Sequence, residues 1–234
     1  MRRLRTILRR SDDAGTTMAE TIVVMMILGV VLAIVQGTVI VAQKTTRQVN
    51  GRIDSAGQAK VAIDTMSRSL RTAVLPQLLA NGSECTACDS TAFTSATPNS
   101  VTFYANTNTD QARLGPMRTS YTLLPNGDLR ETLQKPNAHD PAVYSYVYCD
   151  PGPSCPTTSR IVARGVSPTG TLFTYYNAQG TQLTGASLSS AQRSQVDNID
   201  LTVQVSSFAE KTTLTQRVTL PNADSIALQD ETES

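Results

Sequence analysis

The chain has 234 residues, of which 40% are hydrophobic, and its 20 basic and 19 acidic side chains give a net charge of +1. The charge is unevenly distributed: residues 1–15 hold five arginines and two aspartates, which leaves 15 basic and 17 acidic side chains in the remainder. A net charge of −2 beyond residue 15 excludes a general electrostatic attraction to nucleic acid or anionic lipid. The length predicts one domain and a membrane anchor.

A long apolar segment follows a basic leader. From Ile22 to Val35 no side chain is polar, and about 20 apolar residues in a helix span a bilayer's hydrocarbon core of about 30 Å. Residues 16–43 are therefore predicted to form one transmembrane helix. Basic residues flanking a span stay in the cytoplasm, so the leader is predicted to be inside and the C-terminal part extracytoplasmic. The basic residues of the leader are Arg2, Arg3, Arg5, Arg9 and Arg10.

The sequence GTTMAE at residues 15–20, followed by the apolar run, resembles the N-terminal signature of type IV pilins and type II secretion pseudopilins. In that family a basic leader ends in glycine, a prepilin peptidase cuts after it, the new first residue is N-methylated, and the fifth mature residue is glutamate. The resemblance implies cleavage between Gly15 and Thr16, N-methylation of Thr16, and a role in assembly for Glu20. Thr16 departs from the pattern, since the family usually has phenylalanine there.

Electrostatics gives Glu20 the same role. A carboxylate at the edge of a membrane span is costly unless a positive group lies nearby. Cleavage after Gly15 creates an amine close to Glu20, and helices packed with an axial offset let one subunit's amine neutralise the Glu20 of its neighbour. The alternative is an uncleaved signal anchor with Glu20 at the lipid headgroups. A cleaved secretory signal peptide is disfavoured, because the apolar run exceeds the usual core of about 7–15 residues.

Beyond residue 43 the helix is predicted to continue to residue 75, with residues 44–75 as its amphipathic half. Pro76 is predicted to end it, because the residue before a proline is pushed out of the helical conformation. Apolar residues recur there at spacings of three and four, which predicts a stripe facing a folded domain. The stripe comprises Val49, Ile53, Ala56, Ala59, Ile63, Met66, Leu70 and Ala73.

Residues 76–222 are predicted to form a β-rich head, and the acidic tail, residues 223–234, to be disordered. Residues 76–100 suggest a loop, and Asn126-Gly127 between two β-prone runs predicts a hairpin. The fold class is therefore α+β, with a long N-terminal helix packed on an antiparallel sheet that has one buried face. The predicted strands cover residues 101–105, 119–124, 128–133, 142–148, 160–166, 171–177, 199–208 and 212–220.

Three short segments resemble the larger J-type minor pseudopilins and their type IV pilus counterparts: IDTMSRSLRTAV (63–74), LFTYYNAQGTQL (172–183) and RVTLPN (217–222). The resemblance implies a pilin-like fold and a structural subunit that acts in the initiation of a fibre or at its tip. Its partners would be the prepilin peptidase, other pilins or pseudopilins, and the membrane assembly platform. The chain would be a single-pass membrane protein before it enters the fibre.

Four cysteines, Cys85, Cys88, Cys149 and Cys155, lie in the predicted extracytoplasmic part. An even number of cysteines in an oxidising compartment predicts disulfides, and three pairings are possible. The favoured pairs are Cys85–Cys88 and Cys149–Cys155, each closing a small loop, while pairing between the two loops stays open. The rival is a four-thiolate zinc site, which the spacing of the second pair disfavours.

The remaining polar residues do not indicate catalysis. His139 is the single histidine and is predicted to be an exposed loop residue, without a serine and a buried acid placed beside it. Asp197, Asn198 and Asp200 are a possible calcium-binding group, but their spacing better suits the entry to a strand. We therefore expect neither an enzyme nor a bound cofactor or metal. The alternatives to a fibre subunit are a signal-anchored binding domain and, less favoured, an anchored enzyme.

Overall fold

The structure is a computed structural model. It describes residues 17–79, 88–109, 115–137, 146–149, 155, 157–207 and 210–223. Helices and antiparallel sheets are both present, which confirms the predicted α+β class. The chain divides into two compact units, Met1–Arg47 and Gln48–Ser234. The second unit contains all the strands and is called the head below.

Helix α1 spans Met18–Leu70 and ends five residues before the predicted boundary. The prediction was wrong because the next residues form strand-like bonds instead of helical ones. The backbone N–H of Asn106 donates to the carbonyl oxygen of Thr72 at 2.8 Å, and that of Val74 donates to the carbonyl oxygen of Tyr104 at 2.9 Å. Proline therefore does not end α1. Pro76 begins the short helix α2 (Pro76–Leu79), where its missing N–H costs nothing.

The strands form two antiparallel sheets in the described residues, where one was predicted. The first sheet has the order β1-β2-β3-β4-β5 and contains β1 (Phe93–Ala96), β2 (Ser100–Ala105), β3 (Met117–Leu123), β4 (Leu129–Gln134) and β5 (Thr157–Ala163). The second has the order β7-β6-β8-β9 and contains β6 (Phe173–Tyr176), β7 (Gln182–Leu183), β8 (Asn198–Ser207) and β9 (Glu210–Thr219). Helix α3 (Ser190–Arg193) precedes β8.

The sheets separate where the chain leaves β5. Val166 forms an isolated bridge with Val205 of β8, and the N–H of Ser167 donates to the carbonyl oxygen of Gln204 at 2.8 Å. The chain after β5 therefore attaches to the second sheet. Sequence periodicity identifies individual strands but does not reveal this change of partner.

Seven of the eight predicted strands correspond to β2, β3, β4, β5, β6, β8 and β9, with shifted ends. The eighth, residues 142–148, is wrong over 146–148, which form no strand; the rest of it lies outside the described residues. Tyr148 is held there by its side chain, because its hydroxyl donates to the carbonyl oxygen of Pro116 at 2.6 Å. Strands β1 and β7 and helices α2 and α3 were not predicted. Helix α2 and strand β1 lie in residues 76–100, so the expectation of a loop there was wrong at these two places.

The β3–β4 hairpin confirms the prediction made from Asn126-Gly127. Gly127 has a φ of 82°, which suits glycine better than any other residue. A Cβ atom at this position would lie 2.8 Å from the carbonyl oxygen of Val166. Glycine is therefore required both by the turn and by the close approach of the chain that follows β5.

The later part of the predicted helix stripe is buried and the earlier part is not. Val49 and Ile53 are 50% and 66% exposed, and the buried face there carries Gly51 and Ser55 instead. The Ser55 hydroxyl lies 2.9 Å from the hydroxyl of Thr212 in β9, so small residues allow helix and strand to approach closely. Buried apolar residues of α1 join both sheets in one core; they are Ala59, Ala62, Ile63, Met66 and Leu70.

Candidate functional site

The first turn of α1 contains the predicted assembly residue. The backbone N–H of Glu20 donates to the Thr17 hydroxyl at 3.3 Å and to the Thr17 carbonyl oxygen at 2.9 Å. Thr17 thus caps the helix, and Thr17-x-x-Glu20 has the spacing of a capping box. A carboxylate in the first turn also suits the positive end of the helix dipole. Glu20 therefore has a local role in addition to any role between subunits.

The helix surface that follows Glu20 is apolar and exposed. Every described residue from Thr17 to Asn50 is exposed, and α1 contains a stretch that is long and apolar enough to cross a membrane. The Thr38 hydroxyl donates to the Val35 carbonyl oxygen at 2.8 Å, which satisfies a polar group within the helix. This segment is a candidate membrane anchor.

A disulfide joins Cys149 to Cys155, as predicted, with the two Cα atoms 5.6 Å apart. Cys88 is also disulfide-bonded, but Cys85 lies outside the described residues, so the Cys85–Cys88 pair stays a prediction. Sulfurs held in disulfides cannot serve as thiolate ligands, which rules out the four-thiolate zinc alternative. Pairing between the two cysteine loops is likewise excluded for Cys149 and Cys155.

Gln134, at the end of β4, anchors the Cys149–Cys155 disulfide to the first sheet. Its amide nitrogen donates to the Cys149 carbonyl oxygen at 2.6 Å and lies 2.9 Å from the Cys155 sulfur. Its amide oxygen accepts from Nε of Arg118 at 2.8 Å. The Arg118 guanidinium in turn lies 4.9 Å from the centre of the Tyr148 ring, a distance suited to a cation–π contact.

Two tyrosines connect this loop to the segment that carries Cys88. The Tyr104 and Tyr148 rings lie 5.6 Å apart, and the Tyr104 hydroxyl donates to the carboxylate of Asp89. Burial raises the pKa of both phenols above the ordinary value of 10.0. The phenols therefore stay protonated and can donate these hydrogen bonds at neutral pH. The cluster thus connects the Cys149–Cys155 loop to the segment that carries Cys88 through side-chain contacts.

Asp197, Asn198 and Asp200 lead into β8, as the preferred interpretation predicted. The Asp200 carboxylate accepts two hydrogen bonds from Arg217, at 2.7 and 2.8 Å, and the Asn198 amide oxygen accepts from Thr219 at 2.8 Å. The hydrogen bond from Arg217 holds the pKa of Asp200 below its usual value. These oxygens are therefore engaged in cross-strand pairing, and the calcium alternative is not favoured.

A buried carboxylate in the first sheet escaped the sequence prediction. Glu131 has a side chain that is 4% exposed; it accepts from the Tyr121 hydroxyl at 2.5 Å and from Nε of Arg160. This hydrogen bond raises the pKa of Arg160. The alternation of residues along β4 could have indicated this burial, because it places Glu131 on the same face as Leu129. The arrangement ties β3, β4 and β5 together.

Several predicted site residues lie outside the described part of the chain: Gly15, Thr16, Cys85 and His139. Cleavage after Gly15, methylation of Thr16 and exposure of His139 therefore stay predictions. Among the described residues, no group of three or more histidine, cysteine, aspartate or glutamate side chains could hold a metal ion.

No protein-family model matches the chain, and no curated protein matches its sequence. The fold and the described contacts define an α+β protein with a candidate membrane anchor and a disulfide-bonded head.

Proposed function

We propose that the chain is a minor pilin or pseudopilin, a structural subunit of a type IV pilus-like or type II secretion fibre, acting in initiation or at the tip. In this proposal the precursor is cleaved between Gly15 and Thr16, and the mature N-terminus pairs with Glu20 of a neighbouring subunit. Two features support this proposal together: the resemblance of residues 15–20 to the N-terminal signature of pilins, and the long apolar helix that follows them.

The observation that carries the proposal is the exposed apolar surface of α1 before residue 44. Leu28, Leu32 and Val35 are all about half exposed, and each fully buried aliphatic side chain is worth about 1.5–3 kcal/mol. An exposed apolar surface of this size indicates a site of contact with another molecule or with a membrane. Lipid can cover it before assembly, and the helices of other subunits can cover it afterwards.

Glu20 places a charged side chain in the apolar helix, which a simple membrane anchor does not need. It is the only charged residue between Thr17 and Gln43, and a charge in a span usually has a partner and a function. The helix dipole stabilises a carboxylate in the first turn by about 0.3–1 kcal/mol, which does not offset the cost of placing it among packed apolar helices. A terminal amine from an adjoining subunit would provide the missing partner.

The proposed partners follow from the proposed cleavage of the precursor and its assembly into a fibre. A prepilin peptidase would recognise the leader and Gly15, other pilins would contact the helix, and a membrane assembly platform would lift the subunit from the bilayer. In the precursor the chain would cross the membrane once, with its leader in the cytoplasm and its head outside.

Substitutions at Glu20 separate the pairing role from helix capping. Glutamine keeps a side chain that suits the third position of a capping box but lacks the charge, whereas alanine loses both. We expect Glu20→Gln and Glu20→Ala to be cleaved normally and to be absent from fibres sheared from cells, with a loss of at least about tenfold for one unpaired charge. Immunoblots of the sheared and membrane fractions measure this.

The matched control is Gln43→Ala, an exposed substitution at the other end of the same apolar segment, which should enter fibres normally. Normal incorporation of Glu20→Gln would show that capping, and not charge, explains the glutamate. If the wild-type chain remains in membranes under conditions in which fibres form, the signal-anchored binding domain becomes the better interpretation.

A further inference from the structure

We propose that β5 is a docking edge in the head, where an extended acidic segment of another protein adds as a further strand. The proposal concerns a surface distinct from the apolar helix, and it stands independently of the fibre assignment.

The two edges of the first sheet differ. At the β1 edge, the carbonyl oxygen of Phe93 accepts from Nε of Arg193 at 2.9 Å, and that of Ala96 accepts from the N–H of Leu188 at 2.9 Å. Helix α3 and the residues before it thus occupy hydrogen-bonding groups that β1 would offer to another strand. At the opposite edge, β5 pairs with β4 on one side and is last in the order of the strands that the structure describes.

Strand β5 has little of the usual protection of an edge over residues 157–161. Edge strands commonly avoid association by being short or by carrying charged side chains, proline or a bulge; β5 has one arginine, Arg160, and a bulge near its end, at residues 161–163. Residues 157–161 are five successive exposed residues, with the sequence TTSRI and neither proline nor lysine. The register with β4 is regular over this stretch and shifts only at Leu129/Arg130, towards the far end. Every second residue therefore directs its backbone N–H and C=O away from β4.

The charges of the β4–β5 pair identify the partner's chemistry. In residues 128–134 and 157–164, the exposed ionisable side chains are all basic: Arg130, Arg160 and Arg164. Nε of Arg160 pairs with the buried carboxylate of Glu131, and Nε of Arg164 lies 3.9 Å from the carboxylate of Asp128. Three arginines against two carboxylates leave a net charge of +1, and the side chains of Arg160 and Arg164, 63% and 77% exposed, are the more accessible partners of these pairs. An incoming strand with carboxylates is thus favoured by charge complementarity.

The same charges disfavour a second copy of this chain at the edge. Antiparallel pairing of two β5 strands over their full length would place Arg160 of one copy opposite Arg160 of the other, and like charges across a strand pair are destabilising. Strand addition by a different, acidic segment provides backbone hydrogen bonds for affinity and side-chain charges for selectivity.

A capped nine-residue peptide of alternating threonine and glutamate tests the proposal on the full chain in detergent micelles. We expect the peptide to bind and to slow hydrogen–deuterium exchange in residues 157–163, with no change in β9, the long edge strand of the second sheet. Arg164→Gln should weaken binding by about twofold to fivefold, whereas the exposed control Arg68→Gln on α1 should leave it unchanged.

Two control peptides require no change in the protein. N-methylation of every second peptide residue removes the N–H groups that pair with β5, and replacement of glutamate by lysine reverses the charge; neither peptide should bind. Equal binding of the N-methylated peptide would overturn strand addition, as would unchanged exchange in β5 with the acidic peptide. Protection of β5 that rises with protein concentration in the absence of peptide would show that a second copy covers the edge, and would also overturn the proposal.

Discussion

The two compact units use apolar residues in opposite ways, although α1 contributes to both. Between Ile22 and Val41 the helix exposes its apolar side chains, whereas Ile63, Met66 and Leu70 are buried in the head's core. The apolar residue types alone do not distinguish these parts, because leucine, isoleucine and methionine occur in each. The difference teaches that the first part depends on an external cover and the second on the protein's own core.

The polar residues differ in the same way. In the head, Glu131 and Asp200 are paired with arginines, so their charges are balanced inside the fold. In the first unit, Glu20 is one carboxylate in a long apolar helix. Paired charges are a structural feature of the head, whereas a positive partner for Glu20 would have to come from another molecule in the proposed fibre.

The largest expected effect comes from one substitution made in both parts of α1. Leu70 is fully buried, and truncation of a buried leucine to alanine costs about 2–5 kcal/mol. Leu32 is 52% exposed, so Leu32→Ala should change head stability by less than about 0.5 kcal/mol. Urea unfolding of the full chain in detergent, followed by near-ultraviolet circular dichroism of the tyrosines, compares them. Similar losses of unfolding free energy for Leu70→Ala and Leu32→Ala would contradict this difference between the two parts of α1.

A smaller effect is expected at the disulfide of the head. Replacing Cys149 and Cys155 together by serine should lower the free energy of unfolding by about 2 kcal/mol, because the bridge closes a short loop. The same urea titration measures it, with Leu32→Ala as a control that leaves the head intact. An unchanged unfolding midpoint would mean that Gln134 and Arg118 hold the loop without the covalent bond.

The smallest effect concerns the exposed pair of Asp200 and Arg217. The pKa of Asp200 is lowered in the folded state from an ordinary value of 3.8, so the unfolded chain binds the proton more readily. The stabilisation is present above about pH 4 and is lost as the pH falls through the folded-state pKa. Asp200→Asn should therefore make the loss of stability below pH 4 less steep. Parallel pH profiles for the variant and the wild type would contradict this.

Much of the fold could be predicted because the signals were local. The apolar run predicts α1, Asn126-Gly127 predicts the β3–β4 hairpin, and alternation in IDLTVQVSS predicts β8. Helix α3 also had a local signal, since Ser189 and Gln192 form a capping box, but its four residues are too few for helical periodicity. Strand β1, with the sequence FTSA, has too few residues for alternation to be recognised.

The errors arose where long-range contacts decide the structure. The stripe through Val49 and Ile53 was the more apolar choice, yet the helix buries Gly51 and Ser55 instead, and β9 comes close to the helix at Ser55. The end of α1 depends on bonds from residues 72–74 to β2, which lies far along the sequence. For the site, local spacing predicted the Cys149–Cys155 pair, but Gln134, which anchors it, could be found only in the folded chain.

The N-terminal sequence of the mature protein purified from membranes tests the central claim most directly. Peptide mass spectrometry or stepwise degradation should identify Thr16 as the first residue, since cleavage after Gly15 creates the amine proposed to meet Glu20. A chain that begins at Met1, or at any residue beyond the apolar segment, would contradict the account.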